Sequence, residues 1–253
     1  MKSLKKLKHH DESKIKFNPA MEMGIAAHVF CLEGESAFNN EYMIYEDSLD
    51  RRTKAYKGLK IDAERMNKKL ISENDYYKIK DMCQALRLHP IGRVLDQSRK
   101  EAVAFWEHSK TGIECKAKID IIGDDFIADL KFTGKEIDPV NDYQLFNMVF
   151  ERAYYRQMSF YKEAFDEVKH LYLIFIETES PHEITWVDLM DDENWLRLGR
   201  REIDIAMNRY IDFQAWQNGA NVIDTGYSTE KRKVSCPKWA LERVERLNNT
   251  IDF

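Results

Sequence analysis

The sequence predicts an α/β fold: a single β-sheet with helices packed against it. Three observations carry the prediction. Residues 119–131, Ile-Asp-Ile-Ile-Gly-Asp-Asp-Phe-Ile-Ala-Asp-Leu-Lys, alternate with period two on both sides of a Gly-Asp-Asp turn, which marks a hairpin. Two further alternating runs, 168–176 and 183–189, supply more strands. Around these runs stand segments with helical spacing, the longest from Asp191 to Trp216. The 253 residues contain no internal repeat and no low-complexity linker. One domain over residues 1–253 is therefore expected, with 1–20 a basic N-terminal arm.

In chain order, residues 21–33 read as a short buried helix, with Ile25, His28, Val29 and Leu32 on one face. From Phe38 to Asp62 the periodicity breaks. Arg51, Arg52, Lys54, Lys57 and Lys60 are interleaved there with Tyr42, Tyr45 and Tyr56. This is either a solvated loop or a groove where cations hold a nucleic-acid backbone and aromatics stack on bases. Ser72-Glu-Asn-Asp75 has the form of a capping box and opens a helix to about Leu88; His89-Pro90 ends it, and 91–95 forms another short turn. Residues 100–106 are a strand. A Ser-Lys-Thr-Gly turn at 109–112 leads into 113–122, so three antiparallel strands form a meander. A long helical region follows over roughly 142–167, then the strands at 168–176 and 183–189, the helix 191–216, a polar loop near 219–232, and a last short helix from Pro237.

Composition limits the function. The formal net charge is -5, which argues against a protein that coats DNA non-specifically but leaves room for cations gathered in one groove. Four cysteines, Cys31, Cys83, Cys115 and Cys236, include no C-x-x-C pair, so a zinc or iron–sulfur site made from them is not expected, and a reducing compartment is expected. The basic N-terminus lacks the apolar run of a signal peptide, and no stretch approaches the ~20 apolar residues that cross a bilayer, so no membrane role is expected.

The chemistry sits in the hairpin. Asp129 and Lys131 leave the same face of their strand, and pairing about the turn brings Asp120 near Asp129. Two carboxylates on adjacent strands suit a hard cation bound through oxygen, and a neighbouring lysine can orient or deprotonate a water. A solvated charged hairpin is the competing reading. Glu101, near the start of the preceding strand, adds a third carboxylate if it faces Asp120; Glu114 is the weaker candidate. Gln157 and Tyr161 share a helix face at i, i+4, either as a polar surface or as groups bonding a phosphate and a water. His28 is either a core histidine or a ligand reaching in from the first helix.

Together these pieces resemble the PD-(D/E)XK nuclease superfamily, and within it the exodeoxyribonuclease VIII (RecE) branch of phage recombination exonucleases, related to lambda exonuclease. The resemblance spans Gly24 to about Trp239. It rests on Gly-Ile-Ala-Ala-His28 before Leu32-Glu33, Arg51-Arg52-Thr53, Glu101, Asp120, Asp129-Leu130-Lys131, Gln157 to Tyr161, and Pro237-Lys-Trp-Ala. It implies a restriction-endonuclease-like core, a mixed central sheet flanked by helices. By the same resemblance Glu101, Asp120 and Asp129 hold Mg2+ or Mn2+, with His28 and the Leu130 carbonyl as further ligands. Lys131 then activates the water, Gln157 and Tyr161 complete the site, and Arg51, Arg52 and Lys54 contact DNA phosphates. The implied activity is 5′-to-3′ digestion of linear double-stranded DNA, by a homo-oligomeric ring (trimer or tetramer) that hands a 3′ overhang to a single-strand annealing protein. The implied setting is the cytoplasm of a bacterium or phage-infected cell. One departure from the superfamily pattern is Ile119, where its name has Pro; that position is no ligand. Three alternatives remain: a structure-specific endonuclease of the same superfamily, a catalytically inactive DNA-end-binding scaffold, and a metal-free hydrolase pairing Asp120 with Asp129.

Overall fold

The computed structural model describes residues 18–219. Most of the expected N-terminal arm, the polar loop beyond Gly219 and the helix expected from Pro237 lie outside the described residues, as does the test of whether 1–253 is one domain. Of the described residues, 18–212 belong to one compact unit and 213–219 to another.

Helix α1 (Pro19–His28) begins where Asn18 caps it, its side chain accepting the Met21 N–H at 2.9 Å, with proline at the first helical position. The helix runs on into a π-helical turn, Val29–Glu33, and stops at Gly34, whose φ of +90° is the positive-φ backbone that glycine tolerates. Next come α2 (Glu35–Glu41), β1 (Tyr42–Tyr45), α3 (Lys54–Arg65) and β2 (Lys69–Ser72). Strands β1 and β2 pair in parallel as a small separate sheet. The region 38–62 is thus not one loop. Thr53 accepts the Tyr56 N–H and caps a helix whose polar faces hid its periodicity. Ser72 caps α4 (Glu73–Leu88) by accepting the Asp75 N–H, as its motif predicts, and α5 (Pro90–Leu95) follows.

The central sheet has the order β3-β4-β5-β6-β7. Strands β3 (Arg99–Glu107), β4 (Glu114–Ile122) and β5 (Phe126–Thr133) form the expected meander. Strand β6 (His170–Glu177) runs parallel to β5, and β7 (Ile184–Asp188) is antiparallel to β6, so the sheet is mixed. A parallel pair needs a crossover. Helices α6 (Asp142–Glu151) and α7 (Tyr154–Lys162) supply it. The single long helix expected at 142–167 is broken at Arg152-Ala153, where Ala153 takes a left-handed backbone (φ +54°). The long helix α8 (Glu193–Gln217) follows β7.

Two buried cores flank the sheet. One gathers Ala128, Leu130, Ile174 and Ile176 against α1, α4 and α5. The other gathers Ile127, Leu171, Leu173 and Phe175 against α6, α7 and the start of α8. Residues two apart on a strand normally share a face. Ile119 and Ile121, both fully buried, instead pack into opposite cores. The pleat is therefore broken at Asp120.

Cys31 and Cys83 form a disulfide joining the π-helical turn to α4, across 52 residues of sequence. The cysteine spacing gave no sign of this pair, and the expectation of a reducing compartment, which rested on that spacing, loses its support. Among the described residues no helix is long and apolar enough to cross a membrane.

Candidate active site

The β4–β5 ladder ends after Ile121↔Ala128, just where Asp120 and Asp129 would face each other. There the Leu130 N–H donates to Asp120 Oδ2 at 2.9 Å. A carboxylate thus stands in for a backbone carbonyl, and the two strands part around it. Across β3, Asp120 lies opposite Glu101 in register, between the pairs Lys100↔Ile121 and Ala102↔Ile119. Glu101 has a left-handed backbone (φ +51°). For a non-glycine residue this costs on the order of 1–3 kcal/mol, and such strain is concentrated at working sites.

From the other layer, α1 delivers His28 at its last turn. Its Nδ1 lies 3.4 Å from Asp120 Oδ2, and its ring meets Phe132 edge-on. One ligand atom each from His28, Glu101 and Asp120 fall within 4.8 Å of one another. Asp129, 1% exposed, points to α7, where its Oδ1 accepts the Gln157 Nε2–H at 2.8 Å. Its Oδ2 is ion-paired with Lys131 yet accepts no hydrogen bond in acceptable geometry, which leaves a buried oxygen short of a partner. The Lys131 ammonium also donates to Gln157 Oε1 at 3.1 Å and lies 4.5 Å from the centre of the Tyr154 ring. Gln157 donates a second bond to the Tyr161 hydroxyl at 2.7 Å. Gln157 thus bridges the hairpin's acid and lysine, and Tyr161, one turn further along α7, holds Gln157.

The electrostatics follow from burial. Asp120 is pushed up to about 8, first by desolvation and then by the neighbouring Asp129 carboxylate, with the Leu130 N–H pulling the other way. Burial is also the leading cause that lowers His28, which keeps its imidazole neutral and able to ligate near neutral pH. Desolvation holds the Tyr161 phenol protonated, its pKa raised to about 12. Half-buried carboxylates on Glu101 and Asp120, a neutral imidazole and a carboxylate oxygen of buried Asp129 lacking a hydrogen bond suit a hard divalent cation, so the residues present fit one.

The side chains of His28, Glu101, Asp120, Asp129, Lys131, Gln157 and Tyr161 are linked in this constellation, whereas Leu130, expected to offer its carbonyl, contributes its N–H to Asp120. Asp129 differs in detail: it lies outside the His28–Glu101–Asp120 group and bonds Gln157 and Lys131. Glu114 pairs with Glu107 at the far end of β4. The predicted phosphate contacts bond to none of these site residues among the described contacts. Arg51 donates to the Tyr45 hydroxyl at 3.0 and 2.7 Å, Arg52 pairs with Asp50 at 3.0 Å, and Lys54 opens α3. Sequence reasoning gave no role to Lys118, which ion-pairs Glu101 and lies 3.6 Å from Glu33. Nor did it find Tyr154 under the Lys131 ammonium. Lys118 could have been found from its place on the Asp120 strand; Tyr154 carries no signal beyond lying three residues before Gln157.

The sequence matches a family described as PDDEXK-like domain of unknown function (DUF3799) over residues 1–221. Among curated protein sequences, none matches the chain. The fold is similar to a crystal structure from Eubacterium rectale titled "Putative exonuclease", with a TM-score of 0.56 and 14% identity over 99% of this chain and 85% of that one. A second crystal structure, of SSO0001, aligns with a TM-score of 0.30 and 14% identity over 80% of this chain and 84% of that one, too distant to carry an argument.

Proposed function

The chain belongs to the PDDEXK-like domain family, and on that premise we propose that it is a metal-dependent exodeoxyribonuclease that resects linear double-stranded DNA in the 5′-to-3′ direction. The observation that carries this reading is the half-buried Asp120 and the buried Asp129 at the parted end of a hairpin, with Lys131 ion-paired beside Asp129. His28, Glu101 and Asp120 would hold the cation, Mg2+ or Mn2+, with Asp129 and the Leu130 carbonyl beside it. When bound, such a cation lowers the pKa of a coordinated water and offsets charge on the phosphate. Gln157 and Asp129 fix the Lys131 ammonium, so that it orients the attacking water or offsets charge on a non-bridging oxygen without reorganising. The protonated Tyr161 hydroxyl and the Tyr154 ring hold this arrangement in place. A ring of copies around the DNA end, handing its product to a single-strand annealing protein, completes the proposal. It reconciles a chain of net charge -5 with DNA by gathering the cations in one channel.

The test is digestion of matched linear and covalently closed duplexes, with Mg2+ or with EDTA, the linear DNA labelled at one 5′ or 3′ end. Loss of the linear DNA alone, with early release of the 5′ label, supports the proposal. Nicking of the circle would make the protein an endonuclease.

A further inference from the structure

A cavity of about 360 Å3 opens between α7 and α8, and it shares Tyr154 and Gln157 with the site just described. It exists because Arg152-Ala153 breaks the helical crossover, so that α7 restarts beside α8. Its walls include Phe160 and Met207, and its cations are Arg152 and Arg156. The two arginines differ. Arg156 is held by Glu202 at 3.0 Å, whereas Arg152 is exposed and has no ion pair among the described residues. The combination is a mainly apolar cavity lined by one guanidinium with no ion pair among the described residues. The volume lies near the lower end of the roughly 300–1,000 Å3 typical of small-molecule sites, which suits one nucleotide rather than two.

We propose that this cavity binds the terminal nucleotide of a DNA strand, its base against Phe160 and Met207 and its phosphate on Arg152. Aromatic and apolar side chains accept any base by stacking, and a guanidinium pairs with phosphate in a bidentate fork. Tyr154 links the cavity to the chemistry, since it lines the cavity while its ring carries the Lys131 ammonium. A strand end seated there places its neighbouring phosphodiester toward Lys131. The position of the end, and not base sequence, then selects the bond that breaks. This inference rests on the nuclease reading for its substrate, but its test does not require cleavage.

The experiment is titration of the full-length protein with dAMP in EDTA, followed by calorimetry. Wild type binds. Arg152→Ala, an exposed substitution that leaves the core intact, weakens binding about tenfold. Met207→Trp, which fills the slot, abolishes it. If wild type takes up no dAMP, or if Arg152→Ala binds it as tightly as wild type, the proposal is overturned, even where linear DNA is still digested. Binding that both cavity variants lose, in a protein that cuts no DNA, supports the nucleotide pocket and sinks the nuclease reading instead.

Discussion

Asp120 is the residue on which three separate features converge. It caps the Leu130 N–H, it faces Glu101 and His28, and it is forced toward its protonated form by burial beside Asp129. Its folded pKa is raised above the ordinary 3.8 to about 8. In the metal-free protein the protonated acid therefore contributes stability that is complete below about pH 4 and lost as pH climbs through 8. His28, lowered by burial, works in the opposite direction below its ordinary 6.5. The comparison to make is thus between wild type and Asp120→Asn. Thermal unfolding in EDTA should show wild type losing stability relative to the variant between pH 4 and 8; parallel curves would refute the raised pKa. Because a cation displaces that proton, Mn2+ affinity should rise steadily from pH 6 to 8, with proton release seen as buffer-dependent heat. Lys131 presents a different case. Lys131→Ala leaves His28, Glu101 and Asp120 in place, so it should keep Mn2+ affinity while cleavage falls by about 10²–10⁴-fold.

At the scale of elements, the site depends on how α7 and α1 are held. Helix α8 packs on α7 so closely at Gly199 that a Cβ there would lie 2.1 Å from Ser159 Oγ and 3.1 Å from the Tyr155 carbonyl. The Cβ of buried Ser159, which no rotamer moves, would itself lie 2.6 Å away. Gly199→Ala should cost about 1–3 kcal/mol in urea unfolding and should disturb Gln157, two residues from Ser159, and so reduce cleavage as well. Helix α1 is tied by the Cys31–Cys83 disulfide, three residues beyond His28. Replacing both cysteines by serine should lower stability by about 2–4 kcal/mol under non-reducing conditions; equal stability of the variant would show that the bond contributes nothing.

Across the whole molecule, what could be read from the sequence was whatever repeats with a short period. The meander, the two later strands, the Ser72 cap and the sharing of a strand face by Asp129 and Lys131 all follow from spacings of two to four residues. The i, i+4 pair Gln157 and Tyr161 did too. What escaped depends on contacts far apart in the chain or on broken regularity. The parallel pairing of β1 with β2 joins two four-residue runs with little alternation, and the disulfide spans 52 residues. The broken pleat at Asp120 was invisible because Lys118, Asp120 and Ile122 do alternate in sequence. In the fold, the carboxylate's claim on the Leu130 N–H overrides that alternation. The helix break at Ala153, which creates the cavity, carries neither proline nor glycine to announce it.

The central claim is that a carboxylate cluster and its lysine make this protein a metal-dependent nuclease. The most direct test measures Mn2+ binding and digestion of linear duplex DNA on the same preparations of wild type, Asp120→Asn and Lys131→Ala. The account predicts that wild type binds and cuts, that Asp120→Asn loses both, and that Lys131→Ala binds the ion but cuts about 10²–10⁴-fold more slowly. Cleavage by Lys131→Ala at the wild-type rate, or cleavage by wild type that persists in EDTA, would contradict it.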